Sequence, residues 1–369
     1  MRSGTAFVAL MLIAMFASRP ATAAPALVVE HTNSKVLYAE AADDLWHPAS
    51  LTKIMTAYLV FGAIKEGKLT LKSRVTCSAD AHVQPPSKIG LAVGGQLTVD
   101  KALESLIVKS ANDVAVMLAE AVAGSTVAFV AKMNATAHRL GMSRTTFVNP
   151  NGLPAPGQVT TARDLAKLTR AVIDEFPEHA HYWGMSEMRL GKQRLTSHNG
   201  LLQSFDGADG FKTGFICDSG FNVVASATRD GRRIIAVVLG DVTSAERNIR
   251  AASLLEHGFQ QPGWKQLFNS TTIDNMPLAP AVPVRSVRKD VTSWGCNPPP
   301  AKKRKPKPAT VKAKDDGKKK EAKRAPRGDG GEPRPAPVTV EVETGSGDTS
   351  AIQLRGTMPP PAAAFQAPH

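Results

Sequence analysis

Cysteine is scarce in this chain of 369 residues and occurs only at Cys77, Cys217 and Cys296. Three cysteines form at most one intramolecular disulfide, which excludes a dense disulfide framework and leaves the pairing open. The sequence has no CxxC pair and no HExxH motif. The HxH formed by His179 and His181 has no indicated carboxylate partner, so packing or surface histidines are favoured over metal ligands. We therefore expect no metal and no other cofactor.

Long apolar runs are equally rare. The one clear example is Ala6–Ala17, which follows Arg2 and precedes small residues at 21–23. The run is too short to span a bilayer comfortably, whereas its length and flanks are typical of a secretory signal. The sequence predicts a signal peptide at 1–23 and an exported protein located in the periplasm or elsewhere outside the cytoplasm.

Positive charge is concentrated near the C-terminus. The net charge is +13, and the stretch 301–337 alone holds 14 Lys and Arg against 5 acidic residues. Such a Pro- and Lys-rich composition predicts disorder over 298–369, after a globular domain at 24–262 and a linker at 263–297. The tail is either a solvated extension or a site for electrostatic docking to anionic envelope polymers. Nucleic-acid binding conflicts with the export signal.

The order of predicted elements indicates a mixed α/β (α+β) fold. Two β-rich runs come first, a helical stretch follows, and three strands precede a closing helix. The predicted bounds are 26–31 and 36–40 for the first strands, 51–64, 98–109, 113–123, 128–140 and 162–173 for the helices, 210–216, 221–229 and 232–240 for the late strands, and 246–257 for the last helix. This order predicts an antiparallel sheet flanked by helices, with an inserted helical subdomain.

Two candidate catalytic motifs lie in the helical stretch. Ser50 and Lys53 form an SxxK motif, whose spacing places hydroxyl and amine one turn apart on one helix face. A lysine can deprotonate a serine hydroxyl when burial or a neighbouring cation lowers its pKa. Ser110 and Asn112 form an SxN motif between two predicted helices, where the hydroxyl could relay a proton and the amide could hold Lys53 or substrate. Alone, an SxxK motif is more often a surface Ser–Lys pair, and an SxN motif at such a junction is explained by helix capping.

The third motif is the KTG of Lys212, Thr213 and Gly214, inside the first late strand. Lys212 would supply fixed positive charge for a substrate carboxylate and for keeping Lys53 unprotonated. Gly214 removes a side chain where a ligand could lie against the strand. The three motifs in this order, each on the expected kind of element, are the signature set of penicillin-binding proteins and class A β-lactamases.

Longer stretches extend this similarity to one family. The chain resembles the low-molecular-weight penicillin-binding proteins, the serine D-alanyl-D-alanine carboxypeptidases, from about residue 26 to residue 259. The similar stretches are HPASLTKIMTAY around Ser50, IVKSANDVAVMLAE around Ser110, LGMSRTTFVNPNGL at 140–153 and DGFKTGFICDSGFNVVASA around Lys212. The resemblance implies the peptidase/β-lactamase-like fold for 24–262. It also implies two ligands: the stem peptides of peptidoglycan and β-lactam antibiotics.

The resemblance also implies a role for each matching position. Ser50 would be acylated by the penultimate D-Ala carbonyl, with Lys53 as general base. Ser110 would shuttle the proton, and Asn112 would hold the substrate amide.

Substrate contacts would come from the KTG strand and the last helix. Lys212 and Thr213 would bind the terminal carboxylate, and Arg247 falls where relatives carry a carboxylate-binding arginine. The N–H groups of Ser50 and Phe215 would form the oxyanion hole.

Two departures from the family stand out. After the KTG many relatives continue with His-Thr, whereas this chain has Phe215, Ile216 and Cys217. The family's C-terminal β-domain and amphipathic helix have no counterpart, and 349–369 shows no amphipathic stripe, so attachment to a membrane by that route is not expected.

Two other activities are chemically adjacent. A class A β-lactamase would need a loop ExxxN, which is absent between Asn149 and Leu195, so β-lactams should form a long-lived adduct. An endopeptidase acting on peptide cross-links uses the same chemistry and stays an open alternative.

Overall fold

The structure is a computed structural model that describes residues 24–261, 270–291 and 295–296. The predicted signal peptide at 1–23 and the predicted tail at 298–369 lie outside the described residues. The predicted linker at 263–297 is described in part.

Nine strands and eight α-helices form the described part of the chain. The strands are β1 (Ala26–Glu30), β2 (Val36–Glu40), β3 (Arg74–Thr76), β4 (Gln96–Thr98), β5 (Glu187–Leu190), β6 (Gln193–Thr196), β7 (Ala208–Ile216), β8 (Gly220–Arg229) and β9 (Arg232–Asp241). The helices are α1 (Thr52–Lys65), α2 (Ala79–His82), α3 (Val99–Glu104), α4 (Asn112–Ala123), α5 (Thr126–Arg139), α6 (Ala162–Glu175), α7 (Leu201–Ser204) and α8 (Ser244–Gln260).

The central sheet has five antiparallel strands in the order β2-β1-β9-β8-β7. The predicted α+β fold is confirmed, and the first two strands and three late strands join in one sheet. Both faces are covered, since α1 and α6 contribute to a core on one face and α8 packs on the other. This explains why β8 and β9 are almost continuously buried instead of alternating. β7, which carries the KTG motif, lies at one edge of the sheet.

Threonine side chains cap the starts of two helices. The hydroxyls of Thr98 and Thr161 accept the N–H groups of Lys101 and Asp164, and so begin α3 and α6. The predicted helix from 98 to 109 is α-helical only to Glu104. It then widens into a π-helical turn at Ser105–Lys109 that leads into the SxN motif.

The segment 270–291, called the strap below, packs on the domain. Its Ile273 is fully buried, and the Thr271 carbonyl accepts the N–H of Val36, the first residue of β2. Arg163 donates to the strap carbonyls of Met276 and Pro277.

The far end of the strap meets the β7–β8 turn. Val287 N–H donates to the Asp218 carbonyl, and Arg288 forms an ion pair with the Asp218 carboxylate. Cys217, directly after β7, forms a disulfide with Cys296, which resolves the pairing that the sequence left open. Cys77 is a buried free thiol.

Within the described ranges no single helix is long and apolar enough to cross a membrane. Taken together, α4 and α5 would be long and apolar enough, but they meet at a sharp bend.

Candidate active site

Ser50 lies in the 3-10 turn Ala49–Leu51 that leads directly into α1. This turn contacts both β7 and β8, so the hydroxyl lies where helix and sheet meet. Gly152 lies behind the turn with a φ of +87°, and a Cβ there would come within 1.8 Å of the Ala49 carbonyl oxygen. A side chain at 152 would therefore displace the backbone that carries Ser50.

Lys53 is fully buried one turn further along α1. Its Nζ lies 3.0 Å from Ser50 Oγ, 2.8 Å from Asn112 Oδ1 and 2.5 Å from the carbonyl oxygen of Asn151. Burial and the nearby Lys212 lower the pKa of Lys53 well below its usual range, against an opposing effect of Asp113.

The three contacts of Lys53 fit a neutral amine. The Asn112 amide oxygen and the Asn151 carbonyl can only accept, so they take both N–H groups of an uncharged amine. The remaining lone pair then faces the one partner that can donate, the Ser50 hydroxyl. This is the arrangement that a general base requires.

Ser110 and Asn112 are brought to the same place by the π-helical turn before α4. Ser110 ends that turn in the left-handed region, with a φ of +60° and a ψ of +36°. Its Oγ accepts from Lys212 Nζ at 2.9 Å, while Asn112 reaches Lys53 from the first position of α4. The SxN motif therefore links the two lysines.

Lys212 is 2% exposed on β7 and also donates to the Thr213 carbonyl. Burial, aided by Arg247, lowers the pKa of Lys212 to about 7. The charge of this lysine therefore changes near neutral pH in the free protein, instead of being fixed as the sequence argument assumed. A bound carboxylate would favour the protonated form.

Gly214 has a structural role that the sequence argument did not anticipate. A Cβ at this position would lie 3.0 Å from the Pro48 carbonyl oxygen and 3.1 Å from the Ser50 nitrogen. The absent side chain thus lets β7 approach the backbone of the Ser50 turn. Phe215 follows, and its ring packs on Phe221 with 4.3 Å between centroids.

Arg247 lies on α8 and is 3% exposed. Its guanidinium donates to the His198 carbonyl at 3.2 Å and to Asn248 Oδ1 at 2.8 Å. Burial lowers its pKa to about 10, and its charge acts on Lys212. The predicted carboxylate-binding cations of β7 and α8 thus lie near each other.

Three backbone carbonyls also shape the site, and the sequence predicted no role for them. The Asn151 carbonyl holds Lys53, and the carbonyls of Pro85 and Ser87 accept from the amide and the N–H of Asn112. Backbone carbonyls have no residue signature, and only the turn-forming NPNG at 149–152 hinted at a special backbone here. Among the described residues, no three His, Cys, Asp or Glu side chains gather where a metal ion could be held.

The family model and the relatives of this chain agree on one family. Residues 14–243 match the peptidase S11 family, described as D-alanyl-D-alanine carboxypeptidase. The chain is 38% identical over 271 residues to D-alanyl-D-alanine carboxypeptidase DacC of Escherichia coli. This alignment covers 70% of this chain and 68% of DacC. With DacF of Bacillus subtilis the identity is 34%, over 64% of this chain and 62% of the relative, so the chain spans just under two thirds of that protein.

Solved structures agree with these relatives. Penicillin-binding protein 5 from Haemophilus influenzae superposes with a TM-score of 0.62 at 34% identity, over 64% of this chain and 71% of that one. Penicillin-binding protein D2 from Listeria monocytogenes, solved in its cefotaxime-bound form, gives a TM-score of 0.59 at 33% identity, over 65% of this chain and 98% of that one.

Proposed function

Since this chain belongs to the D-alanyl-D-alanine carboxypeptidase family, we propose that it removes the terminal D-Ala from the stem pentapeptides of peptidoglycan through an acyl-enzyme at Ser50. The observation that supports this most strongly is the buried Lys53 amine, 3.0 Å from the Ser50 hydroxyl with its two N–H groups occupied elsewhere. Such trimming contributes to cell wall biogenesis and cell shape.

In the acylation step Lys53 takes the Ser50 proton as the oxygen attacks the penultimate D-Ala carbonyl. The N–H groups of Ser50 and Phe215 stabilise the negative oxygen of the tetrahedral intermediate. Ser110, hydrogen-bonded to Lys212, passes a proton to the departing D-Ala amine. The new ester is then hydrolysed by water, which restores Ser50.

The cationic groups of β7 and α8 would select a substrate with a free C-terminal carboxylate. Lys212 and Thr213 contact that carboxylate, Arg247 reinforces the positive potential, and Asn112 holds the substrate amide. An endopeptidase acting on peptide cross-links uses the same acyl chemistry, so the leaving group has to be identified directly. Release of D-Ala from a pentapeptide without cleavage of cross-linked dimers would support the carboxypeptidase.

We further propose that β-lactams acylate Ser50 and leave slowly, because no ExxxN glutamate is available to activate the deacylating water. The test is labelling of the purified protein with a fluorescent penicillin, using Ser50→Ala beside the wild type. We expect a stable adduct in the wild type and none in the variant. Equal labelling of both would exclude Ser50 as nucleophile, and rapid penicillin turnover would contradict the slow release.

The domain organisation is proposed from the sequence: a signal peptide at 1–23 directing export to the periplasm or an equivalent compartment, a catalytic domain at 24–262, a linker at 263–297 and a basic tail at 298–369. The mature N-terminus, read by mass spectrometry of the secreted protein, tests the first boundary.

A second proposal concerns the tail, in which 14 Lys and Arg face 5 acidic residues over 301–337. We propose that it docks the enzyme on anionic envelope polymers. Deleting 298–369 should retain peptide hydrolysis while weakening salt-sensitive retention on isolated envelopes. Salt-insensitive retention, or equal retention of both proteins, would contradict the docking role.

A further inference from the structure

Asp113, the residue that follows the SxN motif, has a fully buried carboxylate. It accepts from the N–H groups of Ile89 and Gly90, the latter at 2.8 Å, and from the N–H of Val114 at 2.9 Å. No lysine or arginine of the described residues forms an ion pair with it. Burying a carboxylate without a cationic partner costs several kcal/mol in general. The three N–H groups offset that cost by hydrogen bonding, and their presence on one carboxylate indicates a site that needs this charge.

Two of those N–H groups belong to the loop 84–90, which lies over the start of α4. The same loop supplies the Ser87 carbonyl, which accepts the Asn112 N–H at 2.7 Å, and the Pro85 carbonyl, which accepts from Asn112 Nδ2 at 2.9 Å. Gln84 at its beginning accepts from Asn151 Nδ2 at 2.8 Å. Asp113 thus clamps one end of a loop whose other end contacts two partners of Lys53.

The loop determines which way the Asn112 amide points. Because Nδ2 donates to the Pro85 carbonyl, Oδ1 is the atom directed at Lys53 Nζ. If the loop moved away, the amide could rotate and present N–H groups to the amine. Lys53 would then lose one of the two acceptors that orient its lone pair toward Ser50.

We propose that Asp113 is a positioning residue for acylation: its carboxylate fixes the loop 84–90 and, through the loop, the Asn112 oxygen that orients Lys53. This inference rests on the proposed function, since it assigns Asp113 a part in activating Ser50.

The same carboxylate acts on Lys53 through its charge. The charged groups that act on Lys53 are Lys212 from β7, which lowers its pKa, and Asp113 from α4, which raises it. Arg247 from α8 acts in turn on Lys212, and the neutral thiol of Cys77 is also near Asp113. Asp113 therefore limits how far burial and Lys212 depress the pKa of the base.

The test compares Asp113→Asn with Asp113→Glu in the full chain, by the rate of fluorescent-penicillin acylation as a function of pH. The neutral variant should acylate on the order of 10–100-fold more slowly at its optimum, as expected for displaced catalytic groups. The acid limb of its pH–rate profile, where the rate falls as Lys53 becomes protonated, should also move to lower pH. The reason is that losing the negative charge disfavours the protonated, inactive Lys53. The Glu variant keeps the charge and should lose rate with its acid limb unmoved.

Ser87→Ala is the matched control for the loop, since it removes only the hydrogen bond from Ser87 Oγ to the Lys109 carbonyl and changes no charge. It should lower the rate less, without moving the acid limb. Asp113→Ser provides a second neutral variant should the Asn variant not fold.

An Asp113→Asn or Asp113→Ser profile that matches the wild type in rate and acid limb would overturn the inference. A slower neutral variant with an unmoved acid limb would reduce Asp113 to a structural role. If fluorescent penicillin did not label the wild type at Ser50, the proposed function itself would be contradicted.

Discussion

Replacing Lys212 by methionine should stabilise the fold at neutral pH while removing activity. The side chain is 2% exposed, and its pKa falls from 10.5 to about 7 on burial. At about 1.4 kcal/mol for each tenfold change in proton affinity, holding this lysine in the fold costs about 5 kcal/mol at and below neutral pH. Methionine removes that cost. It also leaves the Ser110 hydroxyl without its hydrogen-bond partner, which destabilises the variant by about 1–3 kcal/mol. A net gain of about 2–4 kcal/mol in the free energy of unfolding is expected at pH 7.

The pH dependence gives the sharper test, and its sign follows from linkage. A lysine whose folded pKa is depressed destabilises the fold fully below the folded value, and the penalty disappears as the pH rises to the unfolded value. The advantage of Lys212→Met should therefore shrink by about 1.4 kcal/mol per pH unit above 7 and approach zero near pH 9.

Urea unfolding of both proteins at several pH values measures this difference. Lys192→Met, on the exposed β5–β6 hairpin, is the control and should change stability by less than about 0.5 kcal/mol. A Lys212→Met protein that is no more stable than wild type at pH 7, or an advantage that does not change with pH, would refute the reasoning.

Three further predictions concern a buried ion pair, a glycine behind the Ser50 turn and the disulfide. Asp43→Ala should lower the free energy of unfolding by about 3–5 kcal/mol, because it strands the buried Arg163 guanidinium 2.7 Å away; the double variant with Arg163→Met should regain part of this loss in the same urea titration. Gly152→Ala should abolish penicillin labelling even where circular dichroism shows a folded protein, since its Cβ would displace the Ser50 turn. Cys296→Ser, which removes the disulfide to Cys217, should lower the melting temperature without changing the mass that penicillin adds to the protein; an unchanged melting temperature would contradict this.

Local patterns in the sequence determined much of the fold and of the site. The three-residue spacing of Ser50 and Lys53 brings the amine within 3.0 Å of the hydroxyl, because a helix turn fixes the relative position of two such side chains. The strands predicted at 221–229 and 232–240 likewise agree with β8 and β9 to within one residue at each end.

The features that could not be predicted from the sequence depend mostly on contacts between residues that are distant in the chain. The β5–β6 hairpin has mixed polarity and no strong turn signal, so it was not predicted. The acceptors of Lys53 and Asn112 are main-chain carbonyls near 85 and 151, whose identity carries no pattern. The lowered pKa of Lys212 depends on burial by residues distant in the chain, which composition alone does not reveal.

The sheet order has a consequence for how the protein can be made. β1 lies between β2 and β9, and Val29 pairs with Ile235, some two hundred residues later. A nascent chain emerging from its N-terminus holds β1 with only β2 beside it, and the other edge of this apolar strand stays unpaired until β9 arrives. Fragments that stop before residue 232 should therefore aggregate when expressed, so a C-terminal truncation that keeps the fold has to retain β9.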